Sequence, residues 1–227
     1  MAELFGELKR STSMSEFEQN PNLKILQENL DGSPIFCIDD FYLKPEEVES
    51  YLFSEEPPLW KIEQTPSNNG VMFEDRRLCK RNARIFNVIK FLSELCKQEP
   101  LVSDVLTNMT RFIEVHNNNY TDNVWWPHRD EGYNAIVYFN KDCECGTNLY
   151  ENCGDTPPVP EHYQPWRPKH KYKFIDHLAP KYNRMVLFDG NKFVHGANIC
   201  NDRYFSDEYR CNQVFFFTDK YKQQKNL

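Results

Sequence analysis

WWPHRDEGYNAIVYFN, residues 125–140, carries a histidine and an aspartate two positions apart, His128 and Asp130, just ahead of an apolar run from Ala135 to Phe139. The run reads as a buried strand. In an extended segment, residues i and i+2 point to the same side. An imidazole and a carboxylate at that spacing can therefore converge on one point, as two ligands of a metal ion must.

Toward the C-terminus, MVLFDGNKFVHGANI (185–199) places His195 on a second strand-like run, behind a turn at Asp189-Gly190-Asn191. Two imidazoles and one carboxylate form the facial donor set that leaves positions open on a divalent iron. In YRCNQVFFFT (209–218), Arg210 opens the last strong strand, on one face with Asn212, Val214 and Phe216. A guanidinium there can hold an organic carboxylate through two parallel hydrogen bonds. Arg203, in the polar loop NDRYFSDEY, competes for that role.

From Arg111 onward the pattern predicts short strands at Arg111–His116, Ala135–Phe139, Thr147–Tyr150, Tyr172–Leu178, Arg184–Phe188, Phe193–Ile199 and Cys211–Thr218. Seven such strands, separated by turn residues, imply an antiparallel sandwich or barrel. The 151–171 connection, with five prolines, reads as irregular surface chain, either a lid or wall beside the site or an inserted excursion.

The N-terminal half reads differently. Residues 1–32 are expected to be an arm or helix, with an amphipathic stretch at Leu23–Leu30 ending at Asp31-Gly32. Within one domain spanning 33–220, residues 33–110 read as helix-rich support and 111–220 as the β core, followed by a 221–227 tail. An apolar strand at 34–38 precedes a helix that starts near Pro45; residues 54–75 read as loop. A second helix is predicted over 83–97, entered through Arg76, Arg77, Lys80, Arg81 and Arg84. That cluster is either a solvated helix shoulder or an anchor for an anionic substrate.

Seventeen Phe, 12 Tyr and 4 Trp supply most of the large apolar area, which suits a β-rich core. A net charge of −7 and a pI near 5.4 disfavour nucleic acid as a partner, though the basic cluster leaves it open. No stretch is long and apolar enough to span a membrane, and the N-terminus lacks a signal-peptide pattern, so a cytoplasmic protein is expected. The eight cysteines are read as reduced thiols; CxC at 143–145 with Cys153 is not a usual zinc spacing.

HRD at 128–130, FVHG at 193–196 and an arginine on the final core strand resemble the iron- and 2-oxoglutarate-dependent oxygenases. PIFCIDDFYLKPEEVESYL, AIVYFN and CGTNLYE are similar to supporting segments of that superfamily, with Thr147 where relatives have a second glycine. The resemblance covers about residues 34–218. It implies a mainly β fold with flanking α, a double-stranded β-helix (a cupin-like jelly roll) with buttressing N-terminal helices. It further implies Fe(II) held by His128, Asp130 and His195, with 2-oxoglutarate as cosubstrate paired to Arg210. Asn118 and Tyr120 resemble an Asn-x-Tyr that contacts the cosubstrate in the nucleic-acid demethylating branch. The implied reaction consumes O2, hydroxylates or oxidatively demethylates a small molecule or protein side chain, and releases succinate and CO2. Arg210 in place of lysine disfavours the prolyl hydroxylases, and Asp130 disfavours halogenation. The competing reading is a non-catalytic, cupin-like binding protein. Trp125 and Trp126 either stack on a planar substrate or belong to the core.

Overall fold

The computed structural model describes residues 17–53, 61–66, 72–79, 86–97, 100–112, 119–141, 144–151, 166–205 and 207–219. Their elements are β1 (Lys24–Leu30), β2 (Ser33–Asp39), α1 (Pro45–Phe53), β3 (Lys61–Pro66), β4 (Met72–Cys79), α2 (Phe86–Cys96) and β5 (Pro100–Phe112). Next come α3 (Asn119–Asp122), β6 (Asn123–Trp125), β7 (Tyr133–Tyr138), β8 (Thr147–Tyr150) and β9 (Trp166–Pro168). The chain closes with β10 (Phe174–Leu178), β11 (Met185–Asp189), β12 (Val194–Ala197) and β13 (Arg210–Asp219).

Eight strands form a large sheet in the order β1-β2-β11-β7-β13-β5-β4-β3, three form a small sheet β10-β8-β12, and β6 pairs with β9. From β5 on, the chain alternates between sheets: β7, β11 and β13 join the large one, while β8, β10 and β12 join the small one. The segment after β6 touches the small sheet through a bridge between His128 and His195. This alternation is a double-stranded β-helix, a jelly roll with helices on one side.

The period of two explains why the central strands read as unbroken apolar runs. Ala135, Val137 and Phe139 face outward with Met185, Leu187, Phe215 and Phe217, against Val48 and Leu52 of α1 and Val88, Ile89 and Leu92 of α2. Ile136, Val186, Phe188 and Val214 face inward, between the sheets. Both faces of the central strands β7, β11 and β13 are thus covered, so their side chains are largely apolar on both sides.

Several expectations are corrected. The stretch at Leu23–Leu30 forms strand β1, not a helix. It pairs with β2 across Asp31 and Gly32, both at positive φ (49° and 78°), so Asp-Gly makes a two-residue hairpin turn rather than a helix end. The N-terminal arm is anchored by Phe17, buried edge-on against Tyr42 and Tyr51. The expected loop at 54–75 contains β3 and the start of β4, which extend the large sheet; Arg76 and Arg77 lie on β4 rather than at a helix shoulder. Lys80, Arg81 and Arg84 fall outside the described residues. The first core strand spans Pro100–Phe112 and so starts well before the expected Arg111, which makes the 33–110 half as much strand as helix; residues 113–116 of the expected strand fall outside the described residues. Within 151–171, the segment Trp166–Pro168 is a strand, because β6 offers it an edge; residues 152–165 fall outside the description.

Candidate metal centre

The centre is built on a backbone clasp. His128 N–H donates to the His195 carbonyl at 2.9 Å, and His195 N–H returns a bond to the His128 carbonyl at 2.8 Å. The two segments approach so closely beside this bridge that a Cβ on Gly196 would stand 2.3 Å from the Trp125 carbonyl oxygen. Trp126 sits at φ 43°, a left-handed conformation that is strained for a bulky residue. Its carbonyl accepts from Nδ1 of His128 at 2.7 Å, and the Phe193 carbonyl accepts from Nδ1 of His195 at 3.1 Å. A carbonyl oxygen only accepts, so each Nδ1 carries the hydrogen and each Nε2 presents a lone pair.

Those lone pairs converge with Asp130. Its Oδ2 is 3.1 Å from His195 Nε2 and 3.6 Å from His128 Nε2, and one ligand atom from each of the three residues lies within 4.8 Å of the others. Burial opposes ionisation of Asp130, but the two imidazoles beside it, which attract the carboxylate whenever they carry a proton on Nε2, outweigh burial and hold the carboxyl well below its usual range; a metal ion in that proton's place would act in the same direction. Burial, and then the neighbouring His128, pushes the His195 imidazole down, favouring its neutral form. A carboxylate and two neutral imidazole nitrogens are donors suited to a divalent transition metal such as Fe(II). The His128 side chain is 41 % exposed and that of His195 is 5 %, so the centre opens past His128.

The three residues line a pocket of about 340 Å³ whose floor is the inward face of the large sheet. Arg210 and Asn212 of β13 reach it, as do Asn108 and Thr110, directly opposite them on β5. Arg210 is buried, and its Nε and Nη2 donate to the carbonyls of Cys145 and Gly146 at 3.0 and 3.1 Å, which fixes the guanidinium on the pocket wall. Arg203 instead pairs with Glu208 at 2.7 Å through Nε and is not among the pocket-lining residues.

Tyr120 is not brought to the pocket: its hydroxyl donates to Asp202 at 2.8 Å. Asn118 lies outside the described residues. Both tryptophans reach the pocket, but they differ. Trp125 is buried against Trp166, while Trp126 is half-buried. The residue that the sequence reading passed over is Asn134, 1 % exposed, whose Nδ2 donates to Asp130 Oδ2 at 2.5 Å. Its signal was the alternation itself: two residues ahead of inward-facing Ile136, position 134 must face inward too.

No family model and no curated protein matches the chain. Solved structures similar to it include an oxidoreductase of the 2OG-Fe(II) oxygenase family from Burkholderia pseudomallei, 12 % identical, with the match covering 78 % of this chain and 79 % of that one at a TM-score of 0.39. Another is the non-heme alpha ketoglutarate dependent epimerase SnoN from nogalamycin biosynthesis, 12 % identical, covering 86 % of this chain and 65 % of that one at a TM-score of 0.35.

Proposed function

We propose that the chain is an Fe(II)- and 2-oxoglutarate-dependent dioxygenase that hydroxylates, or oxidatively demethylates, a small molecule or a protein side chain. The observation that carries this reading is the convergence of His128, Asp130 and His195 in a pocket that Arg210 also lines. Iron bound with 2-oxoglutarate supplies the oxidising chemistry, with succinate and CO2 as co-products. The chain's own residues supply placement. His128 and His195 offer Nε2 because the Trp126 and Phe193 carbonyls hold their Nδ1 hydrogens. Asp130 contributes the single negative charge of the donor set.

Arg210 would take the far carboxylate of the cosubstrate. Two of its N–H groups are held by backbone carbonyls, which orients the remaining donors without ligand-induced rearrangement. Thr147 lines the pocket nearby, and its hydroxyl shares a 2.8 Å hydrogen bond with that of Tyr138. On the small sheet Thr147 pairs with Ala197, two residues beyond His195, so it stands roughly 7 Å along the strand from the ligand. That span is comparable to a short dicarboxylate. The half-buried Trp126 indole forms part of the wall toward the open side, where the substrate would enter. Cytoplasmic residence accompanies this reading, supported by Cys37, Cys96, Cys145, Cys200 and Cys211 standing as thiols rather than disulfides, as a reducing compartment would keep them.

Anaerobic titration with Fe(II) and then 2-oxoglutarate tests the proposal. The expected result is a weak visible charge-transfer band in the wild type that is absent from a His128→Ala/Asp130→Ala variant. A folded wild type with no band, or a band that persists in the variant, would refute it; a jelly roll that only binds ligands gives the first outcome.

A further inference from the structure

We infer that Asn134 is the positioning residue of the metal-binding carboxylate. Its side-chain amide fixes the rotation at which one oxygen of Asp130 meets both imidazoles. This rests on the iron reading above and adds to it a residue that neither the motif nor the donor set identifies.

Asn134 lies on the inward face of β7, four residues after Asp130, and is buried. Its Nδ2 donates to Asp130 Oδ2 at 2.5 Å and lies 2.9 Å from His195 Nε2, so the amide reaches two of the three ligand atoms. The orientation of the amide follows from chemistry. Turned over, its carbonyl oxygen would face a carboxylate oxygen, acceptor against acceptor. Asn134 Oδ1 is buried with no hydrogen-bond partner among the described residues, so the Nδ2 end alone anchors the group.

Gly190 completes the arrangement. Its carbonyl accepts from the Asp130 backbone N–H at 3.0 Å, fixing the main chain of the ligand. A Cβ on Gly190 would stand 2.9 Å from Asn134 Nδ2 and 3.1 Å from its Cγ and Oδ1. Gly190 has no positive φ, so the site uses its small size rather than its conformational freedom. One glycine therefore holds the backbone of Asp130 and leaves room for the amide that holds its side chain.

The chemical consequence concerns coordination number. An N–H on one lone pair of Oδ2 leaves the other lone pair for a metal, whereas His195 Nε2 has one lone pair only, so a metal there would displace the 2.9 Å approach of the amide and leave the bond to Oδ2 as the anchor. A carboxylate free to rotate can offer both oxygens and occupy a position that a chelating acid or dioxygen needs.

The test uses the full chain and Co(II) alone, followed by calorimetry and by the visible d–d absorption, so that no turnover is required. Asn134→Leu keeps the branched skeleton, with bulkier methyl groups, and removes the donor; it is expected to weaken Co(II) binding roughly 10–100-fold and to change the d–d intensity. Gly190→Ala, which displaces the same amide, should weaken binding in the same direction. The double variant should bind no more weakly than Asn134→Leu, because the two changes act through one unit. A wild type that binds no Co(II) would overturn the iron reading together with this inference. Wild-type affinity and spectrum in Asn134→Leu would overturn the inference and leave the iron reading standing. If Asn134→Leu does not fold, Gly190→Ala decides: unchanged affinity there overturns the inference, and weakened affinity with an altered spectrum supports it.

Discussion

Replacing Gly196 by alanine perturbs the clasp that joins the two ligand-bearing segments. The added Cβ would stand 2.3 Å from the Trp125 carbonyl oxygen, with Pro127 N and Trp126 C both at 3.4 Å. A carbon–oxygen contact is ordinarily about 3.3 Å or more, so the segments must part by roughly 1 Å. The obstructing atom is backbone, so no side-chain rotation relieves the clash. The His128–His195 hydrogen bonds, at 2.9 and 2.8 Å, would then stretch beyond the usual limit of about 3.2 Å. Overpacking, together with weakening of two backbone bonds, should lower stability by about 2–4 kcal/mol. A ligand displacement near 1 Å should cost on the order of 100-fold in turnover. The measurements are urea unfolding and the Fe(II)/2-oxoglutarate band. Gly32→Ala is the control, because its Cβ meets nothing within 4 Å; it bears only a left-handed φ of 78°, worth about 1–2 kcal/mol, far from the centre. If Gly196→Ala keeps the wild-type unfolding midpoint and an undiminished band, the clasp does not set the ligand geometry.

Arg210→Leu should weaken 2-oxoglutarate binding roughly 10–100-fold and leave Fe(II) binding in its absence unchanged, whereas Arg203→Leu should alter neither; the reverse pattern in calorimetry would transfer the carboxylate role to Arg203. Acid should weaken the fold through His195. Its folded-state pKa lies below the ordinary value of 6.5, so the unfolded chain binds more protons in that window and stability falls as pH drops from about 6.5 through the depressed value. Urea midpoints in the presence of a chelator check this, and a flat profile from about pH 7 to 5 would contradict it. Tyr42→Phe removes a buried 2.6 Å hydrogen bond to Gln213 Oε1 and leaves that acceptor without its donor, costing about 1–3 kcal/mol in urea unfolding while sparing Co(II) affinity.

The parts of this molecule that were legible in its sequence are those in which one local rule decides the outcome. His128 and Asp130 stand two apart beside a strand, and β7, β8, β11, β12 and β13 lie within a few residues of their expected bounds, β7, β11 and β13 because both of their faces are covered and they read as continuous apolar runs. β1 is not legible as a strand because Leu23, Leu26 and Leu30 also satisfy a helical period, and an Asp-Gly pair fits a helix end as well as a hairpin turn. β3 and β4 carry too many polar residues to show an alternation; neighbouring strands of the sheet, not periodicity, make them strands. Asn134 was overlooked because a polar residue at a strand start is usually solvent-facing, and only the partner at Asp130 reveals its role. Tyr120 shows the converse: its motif pointed to the pocket, while its hydroxyl is held by Asp202.

The bridge between His128 and His195 is also the joint by which the segment after β6 meets the small sheet. It is two hydrogen bonds wide, flanked on one side by the tight passage at Gly196. An ion held by side chains from both sides of that joint would act as a rivet, because opening the seam would require releasing the metal. Heat resistance and metal occupancy would therefore be coupled in this chain: an ion at about 100 times its dissociation constant would add roughly 2.7 kcal/mol to the folded form, acting at that seam.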